Sequence, residues 1–96
     1  MYRIKKYSFD KAKKLGLELK PSKVKGKKIA VYKRGVLIAN IGAIGYKDYP
    51  TYLELEERGI IAKGTANKRR KLYKIRHQKT RMKKNSPSYL ADQILW

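Results

Sequence analysis

The alternation of apolar and polar residues is clearest in the first half of the chain, where it predicts a β-hairpin. Two segments rich in β-branched residues, 27–33 and 36–41, are separated by the pair Arg34 and Gly35. Alternating β-branched residues favour strands, and a glycine in a two-residue connection permits the tight turn of a hairpin. A shorter alternating segment, 17–20, predicts another strand, so we expect a small antiparallel sheet.

Residues that can cap helices mark four further segments. Each has a side-chain oxygen that can accept a hydrogen bond from a free N–H group in a first helical turn. The capping residues are Ser8, Asp48, Thr65 and Ser86, and the helices predicted after them span 9–15, 50–58, 66–79 and 87–95. With the sheet, they predict an α+β fold with a single basic domain over residues 1–96, in which the hairpin and added strands pack against about three or four short helices.

The helix predicted over residues 66–79 has a narrow apolar face. Leu72 and Ile75 lie three residues apart and form a stripe, and Ala66 and Tyr73 lie beside it. We expect the helix to pack along this stripe. Its other faces are cationic, so they are predicted to face solvent or a ligand.

Other expectations concern the core. We expect Phe9 and Ala12 of the first predicted helix to face inward, and Trp96 to fill the core rather than serve as a platform for base stacking. Gly42 and Gly45 fit either ordinary turns or a place where another group approaches the backbone closely, and turn formation is favoured.

The large positive charge is the most informative property of the sequence for function. The chain has 26 Lys and Arg residues against 7 Asp and Glu, which gives a net charge of +19. No acidic residue lies between Glu57 and Asp92, and half of the residues in the basic segment, 63–84, are Lys or Arg. A protein surface normally mixes both signs. The excess therefore predicts a polyanionic partner, with nucleic acid first among the candidates.

The predicted interface has two basic patches. Arginine binds phosphate through two parallel hydrogen bonds and lysine binds it as a point charge, and neither contact carries much base information. Only Asn67 and Gln78 accompany the cations of the basic segment, so we predict weak sequence specificity. The first patch consists of Lys68, Arg69, Arg70, Lys71, Lys74, Arg76, Lys79, Arg81, Lys83 and Lys84. The second patch covers residues 20–28 with Lys33 and Arg34, and its binding residues are Lys23, Lys25, Lys27 and Lys28.

The sequence contains no convincing catalytic or metal-binding set. His77 is the one histidine in the sequence. Glu56 and Glu57 are consecutive residues, so their side chains point in different directions from a helix. We expect these glutamates to be solvated or paired with the basic segment. Asp48 with Glu54 is the one acidic pair left open for Mg²⁺. We therefore predict a protein that is not an enzyme, with no cofactor and no bound metal.

The composition also indicates a cellular compartment. It has no cysteine, which fits a reducing environment. It has no apolar run of about 18 residues, and its first residues, MYRIKKYSFD, lack the apolar core of a signal peptide. The predicted helices lack a broad apolar face for a membrane surface. We expect a soluble intracellular protein without a membrane partner.

Three stretches resemble small basic proteins encoded by large nucleocytoplasmic DNA viruses of algae and protists. They are IGAIGYKDYPTYLE, KRRKLYKIRHQK and SPSYLADQILW, within residues 41–96. The specific features are the R-R-x-x-Y-x-x-R-H spacing from Arg69 to His77 and the final Leu95-Trp96. Ile94 departs from the L-L-W of the family.

The resemblance implies a viral setting. It suggests a virion component, or a protein of the host nucleus or cytoplasm during infection, and it transfers no catalytic residue. It also implies that Tyr73, Arg76, His77 and Trp96 form one structural unit.

These observations favour non-specific binding of nucleic acid, with double-stranded DNA preferred over RNA, for compaction or packaging of a genome. One alternative is a structural virion protein, a minor capsid or cement component, whose cations bind acidic capsid or assembly proteins. Another is a ribosome-like protein that binds structured RNA, since basic loops at 20–28 and 79–84 suit recognition of RNA shape. The oligomeric state stays open.

Overall fold

The chain forms a three-stranded sheet surrounded by short helices. The computed structural model describes residues 2–84 and 86–96. The elements in chain order are α1 (Lys6–Lys14), β1 (Glu18–Pro21), β2 (Lys27–Lys33), β3 (Val36–Ala43), α2 (Tyr49–Glu57), α3 (Thr65–Arg76), α4 (Gln78–Arg81) and α5 (Pro87–Leu95). The α+β prediction is confirmed. Within the described ranges, no helix has the length and apolar character that crossing a membrane requires.

The sheet is antiparallel with the order β1-β2-β3, and its hairpin turn is the predicted one. Leu19 pairs with Val31, which in turn pairs with Ala39. Arg34 and Gly35 both have positive φ angles, 52° and 77°. This is the type I′ geometry whose twist matches that of the two flanking strands.

One face of the sheet supplies half of the core. Ile29 and Val31 lie two residues apart on β2, so they point to the same side as their β3 partners. Helix α5 packs against β3 and α1 and closes this side of the sheet. The buried cluster consists of Ala12, Leu19, Ile29, Val31, Ala39, Ile41, Leu90, Ile94 and Leu95.

Two of the predicted helix caps are confirmed. The Asp48 side chain accepts a hydrogen bond from the N–H of Thr51 at 3.0 Å, and α2 begins directly after it. Ser86 accepts from the N–H of Tyr89 at 3.1 Å at the start of α5. In both helices proline occupies the first turn, where its missing N–H has no helical acceptor.

The prediction for the first helix is partly wrong. Helix α1 begins at Lys6, so Ser8 lies inside it rather than before it. The buried Ser8 hydroxyl instead donates to the carbonyl oxygen of Ile94 at 2.9 Å, which ties α1 to α5. Ala12 is buried as predicted, whereas Phe9 is 47% exposed, so the prediction that Phe9 faces inward is wrong.

Candidate nucleic-acid interface

Helix α3 carries the middle of the basic segment, and its start is held by a neighbouring helix. The predicted cap, Thr65, instead donates its hydroxyl hydrogen to the carbonyl of Ala62 at 2.7 Å. The N–H of the buried Ala66 donates to Glu56 Oε1 of α2 at 2.5 Å. The helix ends at Arg76, three residues before its predicted end. The Glu56 carboxylate of α2 therefore caps α3 in place of a residue next to the helix start. This contact is not visible from the spacing of residues in the sequence.

The prediction that α3 packs along Leu72 and Ile75 is wrong. These side chains are 46% and 63% exposed. The inward face consists of Ala66, Arg70 and Tyr73, which follow the i, i+4, i+7 spacing of one helix face. Helix α3 is thus held by an alanine contact, aromatic packing and ion pairs, and its aliphatic residues lie on the outer side among cations.

Lys28 is removed from the predicted interface by burial. It is only 5% exposed, and its Nζ lies 2.9 Å from Asp48 Oδ2 while it also donates to the carbonyl oxygen of Tyr46. A charge in such a position needs a partner inside the protein. Lys28 therefore stabilises the fold and is not available to phosphate.

The Asp48 carboxylate has three donors. Besides Lys28, it accepts hydrogen bonds from Thr51 N–H and, at 2.8 Å, from the Tyr2 hydroxyl. Burial by itself would raise the pKa of Asp48, but the hydrogen bonds from Thr51 and Lys28 and the charge of Lys28 together lower it below its ordinary value. Glu54, the other half of the acidic pair considered for Mg²⁺, is engaged separately with Lys5 at 2.6 Å.

Two more predicted site residues serve the fold through Asp92. Lys74 Nζ lies 2.8 Å from Oδ1 of this buried aspartate of α5, and Arg81 lies 3.7 Å from Oδ2. The Arg81 Nε–H also donates to the carbonyl oxygen of Lys74 at 3.2 Å. Both cations therefore connect the basic segment to α5 through ion pairs. Their assignment to the predicted interface is corrected to a structural role.

Arg70 of the first patch also contacts a neighbouring helix. Its guanidinium carbon lies 4.9 Å from the centre of the Tyr49 ring, and the residue is half-buried between α3 and α2. Arginine over an aromatic face gains from the ring quadrupole while its stem packs. Arg70 therefore joins α3 to α2, and its assignment to the interface stays a prediction.

The remaining predicted cations all lie on the surface. Within the described residues, none of their side chains makes an ion pair with a carboxylate. They are Lys68, Arg69, Lys71, Arg76, Lys79, Lys83 and Lys84 from the first patch and Lys23, Lys25 and Lys27 from the second.

The surface cations of α3 have fixed spacing. From Lys68 to Arg76 the helix axis rises about 12 Å at 1.5 Å per residue. Duplex DNA carries one charge per about 1.7 Å of axis. A rigid helix of this length can therefore meet several phosphates of one groove at once.

Lys84 has neighbours that the sequence did not indicate. It lines a cleft of about 420 Å³ together with Lys14 at the end of α1 and Lys33 of the hairpin. Lys14 was not among the predicted site residues, because its proximity to Lys84 arises only from the folding of α1 beside the sheet. No local sequence feature identifies it.

The cations also crowd one another where α1 meets α3. Burial lowers the pKa of the Lys11 ammonium, and the nearby charges of Arg70 and Lys74 lower it further. Asp92 acts in the opposite direction but does not offset the others. Positive charge therefore exceeds negative charge where α1 meets α3, although Lys74 is paired with Asp92, and a bound anion would stabilise this part of the surface.

Three rings stack at the end of α3. Tyr73 lies 4.3 Å from Trp96 with planes 7° apart and 4.1 Å from His77 with planes 24° apart, measured between ring centres. Two rings at these distances cannot share one face of a phenol, so Tyr73 lies between the other two. His77 Nδ1–H donates to the carbonyl oxygen of Tyr73 at 3.0 Å, since a carbonyl can only accept.

The stack forms one wall of a cavity of about 450 Å³. Trp96 packs against the core cluster, as predicted, but it stays partly exposed and lines this cavity. Tyr46, which follows β3, and the exposed Arg76 line it as well. Sequence reasoning missed this cavity because its walls come from β3, α3 and α5.

Gly42, which lines the same cavity, marks a place where other side chains approach the backbone closely, and not an ordinary turn. Its φ is 78°, and a Cβ atom there would lie 2.8 Å from Leu95 Cδ1 and 3.0 Å from Lys28 Cδ. Gly45 also has a positive φ, but nothing lies within 4 Å of the position its Cβ would take, so it fits the favoured turn interpretation.

No protein-family model matches the chain, and neither a curated protein nor a solved structure does. The viral resemblance indicated by the sequence stays a prediction.

Proposed function

We propose that this protein binds nucleic acid without sequence specificity, through phosphate contacts made by α3 and the basic loops. The observation that supports this best is the division of the cations into two groups. The cations that face the core have carboxylate or aromatic partners, as Lys28, Lys74 and Arg70 do. The ten surface cations of the two patches have no such carboxylate among the described residues.

The acids of the protein are largely engaged already. Asp48 and Asp92 are buried in ion pairs, Glu54 binds Lys5, and Glu56 accepts from the backbone at the start of α3. A net charge of +19 therefore needs an external polyanion for neutralisation. A phosphate backbone supplies negative charge at regular spacing and releases its counterions when cations replace them.

Double-stranded DNA is the proposed partner, and compaction or packaging the proposed role. Helix α3 holds its outer cations at fixed intervals, which suits a regular duplex better than an irregular partner. The loop around Lys25 and the segment around Lys83 are further places at which a second stretch of backbone could bind. Bound at more than one place, the protein would bridge or bend DNA rather than read one site.

One observation favours a second function, the binding of an acidic protein as a virion component. Leu72 and Ile75 are exposed on the outer side of α3, next to Lys68 and Lys71. Phosphate does not need an apolar contact, whereas the core of a protein interface commonly contains one. An acidic surface with an apolar centre would complement this face.

A competition assay separates these functions. A short fluorescent DNA duplex is bound to the protein and then displaced by unlabelled duplex DNA, by a folded RNA hairpin or by polyglutamate, each added at equal charge concentration. The proposal expects duplex DNA to compete best and polyglutamate worst. Equal or better competition by polyglutamate would contradict it in favour of an acidic protein partner. Better competition by the hairpin would contradict it in favour of the RNA-binding alternative.

A further inference from the structure

The cavity beside the end of α3 combines aromatic rings with a surface cation. Trp96 and Tyr46 line it, and Arg76 joins them from the last turn of α3. Among the described residues, the Arg76 side chain makes neither a hydrogen bond nor an ion pair. Aromatic side chains can stack on a flat ring, and a nearby guanidinium can bind an anion attached to that ring. The two groups together suit a ligand that carries both.

The rings differ in what they can still contact. Both faces of Tyr73 are covered, by His77 and by Trp96. Tyr46 is 77% exposed, and its ring has no aromatic partner among the described residues. Its carbonyl oxygen accepts from Lys28, but a side chain this exposed contributes little to the fold, so the ring is free to stack on a ligand.

The size and the position of the cavity limit the kind of ligand that it can bind. Its volume of about 450 Å³ falls within the range of about 300–1,000 Å³ typical of small-molecule sites. Arg76 lies seven residues after Arg69, which places the two arginines on the same side of α3. A phosphate backbone that follows the outer side of α3 therefore reaches the cavity at the end of the helix.

We propose that this cavity binds one unpaired nucleobase of the nucleic acid held by α3. The base stacks on the exposed ring of Tyr46 and contacts Trp96, which is itself stacked on Tyr73, and Arg76 binds the phosphate attached to the same nucleotide. Every base has an aromatic face, so this contact adds affinity wherever the bound nucleic acid offers an unpaired base, without adding a preference for sequence. The inference rests on the proposed function, because the backbone must first be bound along α3.

Trp96 provides a direct reporter, since it is the one tryptophan among eight tyrosines. Its fluorescence is followed, with excitation that selects tryptophan, while three probes of equal length are added. The probes are single-stranded oligothymidylate, a strand with the same backbone but no bases, and a duplex. The inference expects the base-bearing single strand to quench Trp96, and the other two to bind with little quenching.

A substitution at the exposed tyrosine tests the same contact through affinity. Tyr46→Ala should weaken binding of oligothymidylate by about tenfold, the range expected for one lost stacked base, and leave duplex binding unchanged. Tyr46→Phe is the matched control, because it keeps the ring and should retain the affinity. Thermal unfolding of both variants should match that of the original protein.

The outcomes separate the two proposals. If the strand without bases binds as tightly as oligothymidylate, and if Tyr46→Ala changes neither affinity nor quenching, the base-binding inference is wrong while phosphate binding along α3 stands. If an acidic peptide quenches Trp96 and no oligonucleotide does, the cavity belongs to a protein partner. If none of the three probes binds at low salt, the proposed function is wrong and the inference falls with it.

Discussion

Lys74 donates a hydrogen bond to Asp92 across 2.8 Å, and this contact fastens the basic helix to the last helix of the chain. The aspartate is buried, and Lys74 and the more distant Arg81 are the cations beside it. The pair shows that a cation of the basic segment can serve the fold instead of the ligand. Its neighbour Lys71, three residues earlier, is exposed.

Replacing each lysine by methionine should separate these two roles. Lys74→Met leaves Asp92 short of a partner and should reduce the free energy of unfolding by about 1–3 kcal/mol, because Lys74 is partly exposed and the pair is not fully desolvated. Lys71→Met should change stability by less than about 0.5 kcal/mol and weaken duplex binding instead. Urea unfolding and a duplex titration measure the two effects. Equal losses of stability in both variants would contradict the division into structural and surface cations.

The exposed aliphatic pair gives a second prediction. The double variant Leu72→Gln/Ile75→Gln should keep its free energy of unfolding within about 1 kcal/mol, since both side chains already face solvent. Large-to-small changes at buried aliphatic residues typically cost about 2–5 kcal/mol. A loss in that range would mean that these residues pack against the domain. The variant should also bind duplex DNA normally, whereas a loss of affinity for an acidic protein alone would support the second function.

Gly42 should tolerate a methyl group much less well than Gly45 does. Both have positive φ angles, so Gly→Ala strains the backbone by about 1–2 kcal/mol at either position. Only at Gly42 does the new Cβ meet Leu95 and Lys28, so Gly42→Ala should be the less stable variant by at least about 1 kcal/mol. Thermal unfolding compares the two. Identical melting temperatures would argue against close packing between β3 and α5.

The stability should fall in acid because of Asp48. Its pKa in the folded protein lies below the ordinary value, so the unfolded chain takes up a proton first as the pH falls. The stabilisation is therefore complete above about pH 4 and is lost as the pH falls through the folded pKa. Glu54, whose hydrogen bond to Lys5 and the Lys5 charge lower its pKa, acts in the same direction.

The double variant Lys28→Met/Asp48→Asn tests the assignment of this acid effect. Asparagine is still able to cap α2, and the buried charge pair is gone. The free energy of unfolding of the variant should depend less on pH between about pH 5 and pH 2 than that of the original protein. An unchanged pH profile would show that other carboxylates are responsible.

Local features of the fold were predictable from sequence, and long-range ones were not. The hairpin turn at Arg34-Gly35 and the caps at Asp48 and Ser86 depend on neighbouring residues, so their patterns are visible in the sequence. The start of α3 depends on Glu56, ten residues before Ala66. That contact exists only once α2 and α3 have packed together.

The sequence predicted which segment is basic, and the structure showed which of its cations are engaged in the fold. Counting cations identified the basic segment, but it could not separate Lys28 and Lys74 from surface lysines, because burial beside an aspartate depends on tertiary packing. Apolar spacing also favoured the wrong face of α3. Ala66 and Tyr73 pack inward there and leave Leu72 to solvent.

The dependence of duplex affinity on salt tests the central claim most directly. The slope of log K against log salt concentration should be about −5 or steeper, which corresponds to six or more phosphate contacts at about −0.9 each. Replacing Lys68, Arg69 and Lys71 by glutamine should make it shallower by about 2–3. A control variant with glutamine at Lys13, Lys47 and Lys63 removes the same charge from exposed positions outside the predicted patches and should change the slope less. A slope near zero, or equal slopes for the two variants, would contradict phosphate binding along α3.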